Sequence, residues 1–407
     1  LAVAVGAAAP PARAASAGSK AASYLLRAQN RDGGFPGAPK QGSSPLVTGW
    51  GALGLASARH NPRDVHRKHG RSVSRYLAGS PASMSDIGSI ERTILVLKSA
   101  GLSPRKFAGR DLVAKVKAKR RKDGSIAGFV SYTAFGVLAL RAAGQTGVSA
   151  QARYLVRAQA SDGGFGIATS AASDPDMTGA VLQALAAAGR ATGGVKSRAV
   201  SFLRARQNAD GGFGALRGAS SNAQSTAYAV QGLVAAHAGS EVAARAIAYL
   251  KRLQRADGSI RYSRTSAQTP VWVTAQALMA LRRKPLPIAT APRRKHRSHA
   301  SAAADASHTA RKGARGAHVL PGTAKAKTET KGPNGERSAA AGHAAARTPG
   351  LDDSTLKTDP PRKTRLAAHS GKGVPGWLVV LAIALALAAV FLMRRRLGRF
   401  IGVSRPA

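Results

Sequence analysis

A repeated motif constrains this chain more than any other feature. Residues 149–189 combine two helical patterns, 150–159 and 177–188, separated by a Gly-rich turn. In the first pattern the apolar residues fall on one side and the arginines on the other, which predicts an amphipathic outer helix. The second pattern is almost wholly small and apolar, which predicts a buried helix. We call one such helix pair with its turn a repeat.

The motif returns in register along the chain. An aromatic-Leu pair, a Gln and an Asp-Gly turn recur, with the Asp at Asp32, Asp123, Asp162, Asp210 and Asp257. The long gap after Asp32 holds one more repeat, which starts at Tyr76-Leu77 and whose turn has degenerated to residues 78–85. Six helix-pair repeats indicate a repeat architecture. Because the first and last repeats look as apolar as the middle ones, we expect the six to close into a ring.

The ring should place six inner helices inside six outer ones. The outer helices are expected near 19–29, 63–79, 109–122, 149–159, 196–207 and 240–254. The inner helices are expected near 46–58, 87–100, 131–143, 176–188, 224–237 and 271–284.

The motif aromatic-Leu-x3-Gln-x3-Gly-x-Phe resembles the QW repeat of squalene–hopene cyclases and related terpene cyclases, with Phe in place of Trp. It is also similar to the repeats of protein prenyltransferase beta subunits and of cobalamin carriers. The resemblance covers about residues 19–288 and implies an all-α fold, an (α/α)6 toroid of six helix-pair repeats. These families share the ring and differ in chemistry, so the resemblance alone does not give the function.

Composition divides the chain into five parts. Residues 1–15 are apolar and then small, with an A-x-A pattern, which predicts a secretory signal; the alternative is a disordered Ala-rich tail. The toroid follows at 16–288. The basic Ala/Pro-rich segment 289–373 is expected to be a disordered linker. The uncharged apolar residues 374–393 predict one transmembrane helix. The Arg-rich tail 394–407 should be cytoplasmic, which places the toroid outside a cell membrane that the chain crosses once.

The chain is strongly basic. Its formal net charge is +44, and residues 16–288 hold 39 Lys and Arg against 12 Asp and Glu, mostly on the outer helices. A basic surface attracts polyanions. Because no stacking aromatics interleave with these charges, we expect anionic lipid headgroups or an anionic wall polymer and no nucleic acid. The alternative is a solvated surface with no partner.

The inner helices carry the candidate site. Five of them repeat a Thr in the first turn, at Thr48, Thr133, Thr178, Thr226 and Thr274, and polar residues precede it. These starts should gather at one mouth of the ring, where a polar rim and apolar walls suit a hydrophobic small molecule. The candidate ligand-binding residues are Asp174, Asp176, Thr178, Asn222, Gln224, Thr226, Tyr132, Trp50 and Trp272.

Residues 174–178 read Asp-Pro-Asp-Met-Thr, which resembles the DxDDT motif of class II terpene cyclases. Residue by residue, the resemblance makes Asp176 the acid that protonates an alkene, with Asp174 and Thr178 in the flanking positions, whereas Met177 replaces the third Asp. The structural alternative is that Asp174 caps the helix, Pro175 starts it and Asp176 complements its dipole, which would keep Asp176 ionised. Asn222 could cap the fifth inner helix in the same way.

The chain has no Cys. Disulfides are therefore excluded, and the zinc site of protein prenyltransferases lacks its thiolate ligand. We expect no metal and no cofactor. Together with Met177, this favours a membrane-anchored toroid that binds an apolar or isoprenoid-like ligand in its central cavity. Two alternatives stay open, namely an active cyclase-like or prenyltransferase-like enzyme using Asp176, and a surface interaction scaffold without a small ligand.

Overall fold

The computed structural model describes residues 15–294, and this part of the chain is helical. Its α-helices are α1 (Ala17–Ala28), α2 (Pro45–Ser57), α3 (Val73–Ala78), α4 (Ile87–Ser99), α5 (Leu112–Lys117), α6 (Val130–Ala142), α7 (Ser149–Arg157), α8 (Pro175–Ala187), α9 (Gly193–Arg206), α10 (Ala223–Ala235), α11 (Ser240–Arg252) and α12 (Pro270–Leu281). Two short 3₁₀ helices lie at Pro81–Met84 and Pro104–Lys106, and two antiparallel two-residue strands, β1 (Phe35–Pro36) and β2 (Ser43–Ser44), pair in the first repeat.

Residues 1–14 and 295–407 lie outside the described part. The predicted signal (except Ala15), most of the predicted linker, the membrane segment 374–393 and the tail 394–407 therefore stay predictions. Among the helices of residues 15–294, none combines the length and the apolar character that a bilayer crossing needs.

The even-numbered helices form a closed inner ring. Each contacts the next in the order α2, α4, α6, α8, α10 and α12, and α12 contacts α2 again. The first outer helix, α1, packs against both α12 and α2, so it covers the junction between the last repeat and the first. The predicted closure of six helix pairs is confirmed. The apolar ends of the repeat array explain it, because an open array would leave those faces in water.

Inner and outer helices differ as their sequences predict. Every residue from Val47 to Ser57 of α2 is buried, whereas α1 buries only one face. Small residues let the inner helices approach closely. A side chain at Gly54 of α2, for example, would place its Cβ 2.7 Å from the carbonyl oxygen of Ala275 in α12.

Five of the six repeats are held together by the same type of hydrogen bond. The hydroxyl of the repeated Thr accepts the backbone N–H of the apolar residue in the turn, as Thr178 does from Phe165 at 3.0 Å. The equivalent bonds join Thr48 to Phe35, Thr133 to Ile126, Thr226 to Phe213 and Thr274 to Ile260. The Gln of the motif bonds its own turn and the next outer helix. Gln159, for example, donates to the carbonyls of Gly163 and Val195.

The outer helices of the second and third repeats are shorter than predicted. Helix α3 covers 73–78 instead of 63–79, and α5 covers 112–117 instead of 109–122. Residues 63–72 turn through Gly70 instead. At the end of α5, Lys115 and Lys119 stand four residues apart, a like-charge spacing that destabilises a further helical turn.

Residues 289–294 belong to the folded domain, although the sequence assigned them to the linker. Ala291 is 3% exposed, donates its N–H to Ser99 and accepts a hydrogen bond from the Asn61 side chain at 2.6 Å. Arg293 pairs with Asp64 at 2.8 Å. Composition missed this segment because its order comes from hydrogen bonds and an ion pair and not from large apolar residues.

Candidate functional site

The inner helices of the toroid carry partly exposed residues near their starts. Two residues before the Thr position, each of the six helices has such a residue. We call these six residues the mouth layer: Leu46, Gly88, Ser131, Asp176, Gln224 and Trp272. Two residues correspond to roughly 200° of helical rotation, so the mouth layer and the Thr positions lie on opposite sides of their helices.

One helical turn deeper lies a second set of equivalent residues, which we call the floor layer: Trp50, Arg92, Phe135, Ala180, Tyr228 and Gln276. Three of these are aromatic and come from alternate helices of the ring. The ring centroids of Trp50 and Phe135 are 6.1 Å apart, those of Trp50 and Tyr228 6.2 Å, and those of Phe135 and Tyr228 6.5 Å, all in edge-to-face geometry. Side chains from alternate helices meet in this way only near the axis, so the aromatic trio fills the centre of the ring at this depth.

Polar groups complete the floor. The Arg92 guanidinium lies over the Trp50 ring at 6.0 Å from its centroid, a cation–π distance. Gln224 donates to the Gln276 side-chain oxygen at 2.7 Å, and the Gln276 amide nitrogen lies 3.5 Å from the Tyr228 hydroxyl. Burial, and then the Asp176 carboxylate, raise the pKa of Tyr228, so this phenol stays protonated at neutral pH.

Asp176 lies in the first turn of α8, but its carboxyl does not cap the helix. The N–H of Met177 bonds the cap Asp174 at 2.7 Å, and Oδ1 of Asp176 has no hydrogen-bond partner. Burial raises the pKa of Asp176 to about 6. Burial, and then the Asp176 charge, raise the pKa of Asp174 to about 7. Burial therefore opposes the helix dipole at Asp176, and a pKa of about 6 still leaves this carboxyl mostly ionised at neutral pH.

The predicted site residues separate into two groups. Asp176, Gln224 and Trp272 lie in the mouth layer and Trp50 in the floor layer, while Tyr132 lies beside the mouth, partly exposed and edge-to-face with Phe129 at 5.6 Å. The indole Nε1 of Trp272 also has no partner.

The other predicted residues serve the scaffold. Thr178 and Thr226 are fully buried and bond the turns, so they do not face the mouth. Asp174 and Asn222 cap α8 and α10 through the N–H groups of Met177 and Ser225, as the structural alternative predicted.

A further carboxyl lies between α4 and α6. Glu91 is fully buried, neither of its oxygens has a partner, and a Cβ at Gly136 would lie 3.0 Å from Oε1. Burial raises the pKa of Glu91 well above its usual range, so its neutral form is favoured. In residues 15–294 no group of three or more His, Asp or Glu side chains is placed to hold a metal ion.

Two family models match this architecture. Residues 12–209 match the prenyltransferase alpha-alpha toroid domain, and residues 176–269 match the squalene-hopene cyclase C-terminal domain. The helical core is an alpha-alpha toroid. The resemblance seen in the repeat motif is confirmed at the level of these domains, and the second match starts at Asp176.

Solved structures of low identity resemble the toroid. A protein from Actinoplanes is 18% identical, with a TM-score of 0.49 over 66% of this chain and 98% of its own. The type II terpene cyclase MstE from Scytonema is 18% identical, with a TM-score of 0.48 over 65% and 96%. A glycosidase in complex with glucose is 17% identical, with a TM-score of 0.46 over 66% and 97%. No curated protein matches the chain.

Of the six floor residues, only Trp50 is among the candidate residues that the sequence indicated. The other five, Arg92, Phe135, Ala180, Tyr228 and Gln276, stand like Trp50 two positions after the Thr position. Aligning all six inner helices, with Ile90 in the Thr position of the second repeat, would have shown this column. The residue types at this position differ from repeat to repeat, so no recurring motif identifies the position.

Proposed function

We propose that the mouth of the toroid binds an apolar, isoprenoid-like ligand that carries one polar group. The observation behind this proposal is the pairing of an aromatic floor with two unpaired polar atoms of the mouth layer, Oδ1 of Asp176 and Nε1 of Trp272. Small-molecule sites typically combine apolar and aromatic surface with a few placed polar groups. A hydroxyl on the ligand could donate to Asp176 or accept from Trp272.

The floor limits how deeply a ligand enters. Trp50, Phe135 and Tyr228 contact one another across the axis, so a hydrocarbon chain would rest on their edges and not pass between them. The sequence led us to expect a ligand in the central cavity of the toroid. We now propose that the ligand lies in the mouth, above the aromatic trio. Gly88 of α4 and Ser131 of α6 are the smallest members of the mouth layer, so the ligand is proposed to enter between these two helices.

A matched pair of variants tests binding with the purified full chain and tritiated farnesol in equilibrium dialysis. Gly88→Leu adds a side chain within the mouth, where its Cβ would meet nothing closer than 3.4 Å. Gly147→Leu makes the same change in an exposed loop with open space around it. We expect Gly88→Leu to weaken farnesol binding at least about tenfold, roughly 1.4 kcal/mol, and Gly147→Leu to leave it unchanged.

Mass spectrometry of lipophilic extracts from the purified chain would identify the natural ligand. If wild type binds no farnesol and its extracts hold no copurifying isoprenoid, the ligand proposal fails. The remaining hypothesis would then be an interaction scaffold without a small ligand.

A second candidate function is acid catalysis, since Asp176 combines an unpaired oxygen with a raised pKa. Binding is nevertheless favoured. A pKa of about 6 leaves the carboxyl mostly ionised at neutral pH, whereas protonating an alkene needs a neutral acid. Met177 also occupies the place of the third Asp of the cyclase motif. Incubation with squalene and a shorter polyprenyl substrate, followed by gas chromatography, decides between the two. A cyclised product from wild type that Asp176→Asn does not form would make Asp176 the acid.

We also propose that residues 374–393 tether the toroid to a membrane, with the toroid outside the cytoplasm and the tail 394–407 inside. The support is the uncharged apolar stretch followed by four arginines within residues 394–399. Protease added to intact cells should cut between residues 295 and 373 and release the toroid. A toroid that is cut only after lysis would show the opposite topology.

A further inference from the structure

The junction between the second and third repeats differs from its counterparts. At the other junctions with an Asp-Gly-Gly turn, that turn packs against an aromatic side chain of the next outer helix. A Cβ at Gly164 would lie 2.7 Å from the Phe202 ring, and one at Gly212 would lie 3.0 Å from the Tyr249 ring. A glycine is therefore needed at this position for the aromatic ring to pack against the turn. The packed turn and ring fill the space between the two neighbouring repeats.

Both partners are missing between repeats two and three. The second repeat has a 3₁₀ helix, Pro81–Met84, instead of the Gly-Gly turn. In the third repeat the aromatic position, eight residues before the turn Asp123, is Lys115. The Thr position of the second repeat is Ile90, so the fastening hydroxyl is absent too. A groove of about 650 Å³ opens at this place, which we call the junction groove.

The junction groove is apolar inside and cationic at its edge. Met84, Ile87 and Ile90 line it from the second repeat and are buried or half-buried. On the other side stand the exposed cations Lys115, Lys119 and Arg121.

One carboxylate, that of Asp86, also lines the groove, but its oxygens are occupied. They accept hydrogen bonds from the Ser89 N–H at 3.0 Å and from the Ser89 and Ser85 hydroxyls at 2.6 and 3.2 Å. The groove therefore has three exposed cations at its edge and one carboxylate, Asp86, which is already hydrogen-bonded.

Arg120 adds an independent observation. It stands where four of the other five repeats have the bridging Gln, and its Nη2 makes the equivalent bridge to the Gly147 carbonyl at 2.8 Å. Its Nε is buried and has no partner. A buried donor without an acceptor, next to two lysines one helical turn apart, favours a bound anion.

We propose that the junction groove binds an anionic amphiphile, with a phosphate or carboxylate head at the exposed cations of its edge and its hydrocarbon chain on Met84, Ile87 and Ile90. The volume lies within the roughly 300–1,000 Å³ of small-molecule pockets. A polyanion without hydrocarbon would leave the apolar wall uncovered, and a neutral lipid would leave the cations unpaired. The site is distinct from the mouth, because the Thr position occupied by Ile90 lies on the opposite side of its helix from the mouth layer.

Photocrosslinking of the full chain tests this proposal. The probe is dodecyl phosphate with a diazirine in its alkyl chain, used below its micelle concentration, and mass spectrometry maps the labelled peptides. We expect label within residues 84–127, displaced by unlabelled dodecyl phosphate but not by dodecyl maltoside or inorganic phosphate. The double variant Lys115→Glu/Lys119→Glu should lower the labelling at least about tenfold. Ala118→Phe, which fills the groove from the exposed residue that follows α5, should do the same.

The control is Lys251→Glu/Lys284→Glu, which changes the net charge equally at exposed positions outside the groove and should label like wild type. Equal loss in this control would mean that only the overall charge of the surface acts, and the proposal fails. It also fails if the maltoside competes as well as the phosphate, if inorganic phosphate alone displaces the probe, or if anionic phosphatidylglycerol vesicles bind the chain while the monomeric probe labels nothing within 84–127.

Discussion

The fastening hydrogen bond of the repeats can be tested at Thr178. Thr178→Val keeps the shape of the side chain but removes the acceptor for the Phe165 N–H, which bonds Oγ1 at 3.0 Å. Thr178 and Phe165 are both 0% exposed, so water cannot replace the lost partner. Leaving a buried donor unpaired costs about 1–3 kcal/mol, and we expect the free energy of unfolding to fall by that amount.

Urea unfolding followed by far-UV circular dichroism measures this change. Thr178→Ser keeps the oxygen and should lose less stability than Thr178→Val. Thr265→Val is the matched control, because Thr265 is exposed and outside the inner helices, and it should change stability by less than about 0.5 kcal/mol. If Thr178→Val is as stable as wild type while Thr178→Ser is not, the methyl group and not the hydroxyl fastens the repeat, and the argument made for all five threonines fails.

Three further predictions follow from the packing. Phe165→Ala and Phe213→Ala should each lower the free energy of unfolding by about 3–5 kcal/mol, since both rings are fully buried; unchanged melting temperatures would refute the packing. Gly88→Leu should raise stability by up to about 1 kcal/mol, because a helical Gly is replaced where a side chain fits, while it weakens binding at the mouth; a destabilised variant would show that the mouth is closed there. A chain truncated after residue 288 should melt at a lower temperature than one truncated after residue 294, and equal melting temperatures would show that the last segment contributes nothing.

The fold could be predicted from the sequence because the same hydrogen-bonding residues recur along the chain. The Gln, the Asp-Gly turn and the Thr are each tied to a specific hydrogen bond, and they recur at the same spacing. Ring closure followed from the apolar first and last repeats. Prediction was poorest around the second repeat, which retains neither the turn nor the Thr. The outer helices α3 of the second repeat and α5 of the third were both predicted too long.

The candidate site was predicted only in part, for a geometric reason. The polar Thr residues stand out in apolar helices and were assigned to the mouth, whereas the structure turns Thr178 and Thr226 away from it into the repeat junctions. Residues two positions away, such as Gln224 and Tyr228, face the axis. Periodicity gives the rotation between positions but not which side is the inside when both sides of a helix are buried. The contacts of Trp50, Phe135 and Tyr228 across the ring settle that question.

The charge state of Asp176 gives the last prediction, and its sign follows from burial. The pKa is about 6 in the folded chain against the ordinary 3.8, so between these values the folded state holds a proton that the unfolded state has lost. The contribution of Asp176 to stability is therefore fully present below about pH 4 and is lost as the pH rises through about 6. Asp176→Asn removes this titration. Relative to wild type, the variant should gain stability between pH 4 and pH 8, by up to about 3 kcal/mol for a shift of roughly two pKa units.

The difference between variant and wild type isolates this group from others that titrate in the same window. Glu91 and Asp174 also have raised pKa values and weaken the fold as the pH rises, whereas burial lowers the pKa of His60, which acts in the opposite direction. These pKa effects are the same in Asp176→Asn and in wild type, except for the repulsion between Asp174 and Asp176, which the variant lacks. Glu241→Gln, on an exposed helix start, controls for the loss of one negative charge. Urea unfolding at pH 4 and pH 8 measures the difference. If Asp176→Asn is instead less stable than wild type at pH 8 and equal to it at pH 4, the helix dipole and not burial sets the charge of Asp176, and the mouth is better solvated than its aromatic floor implies.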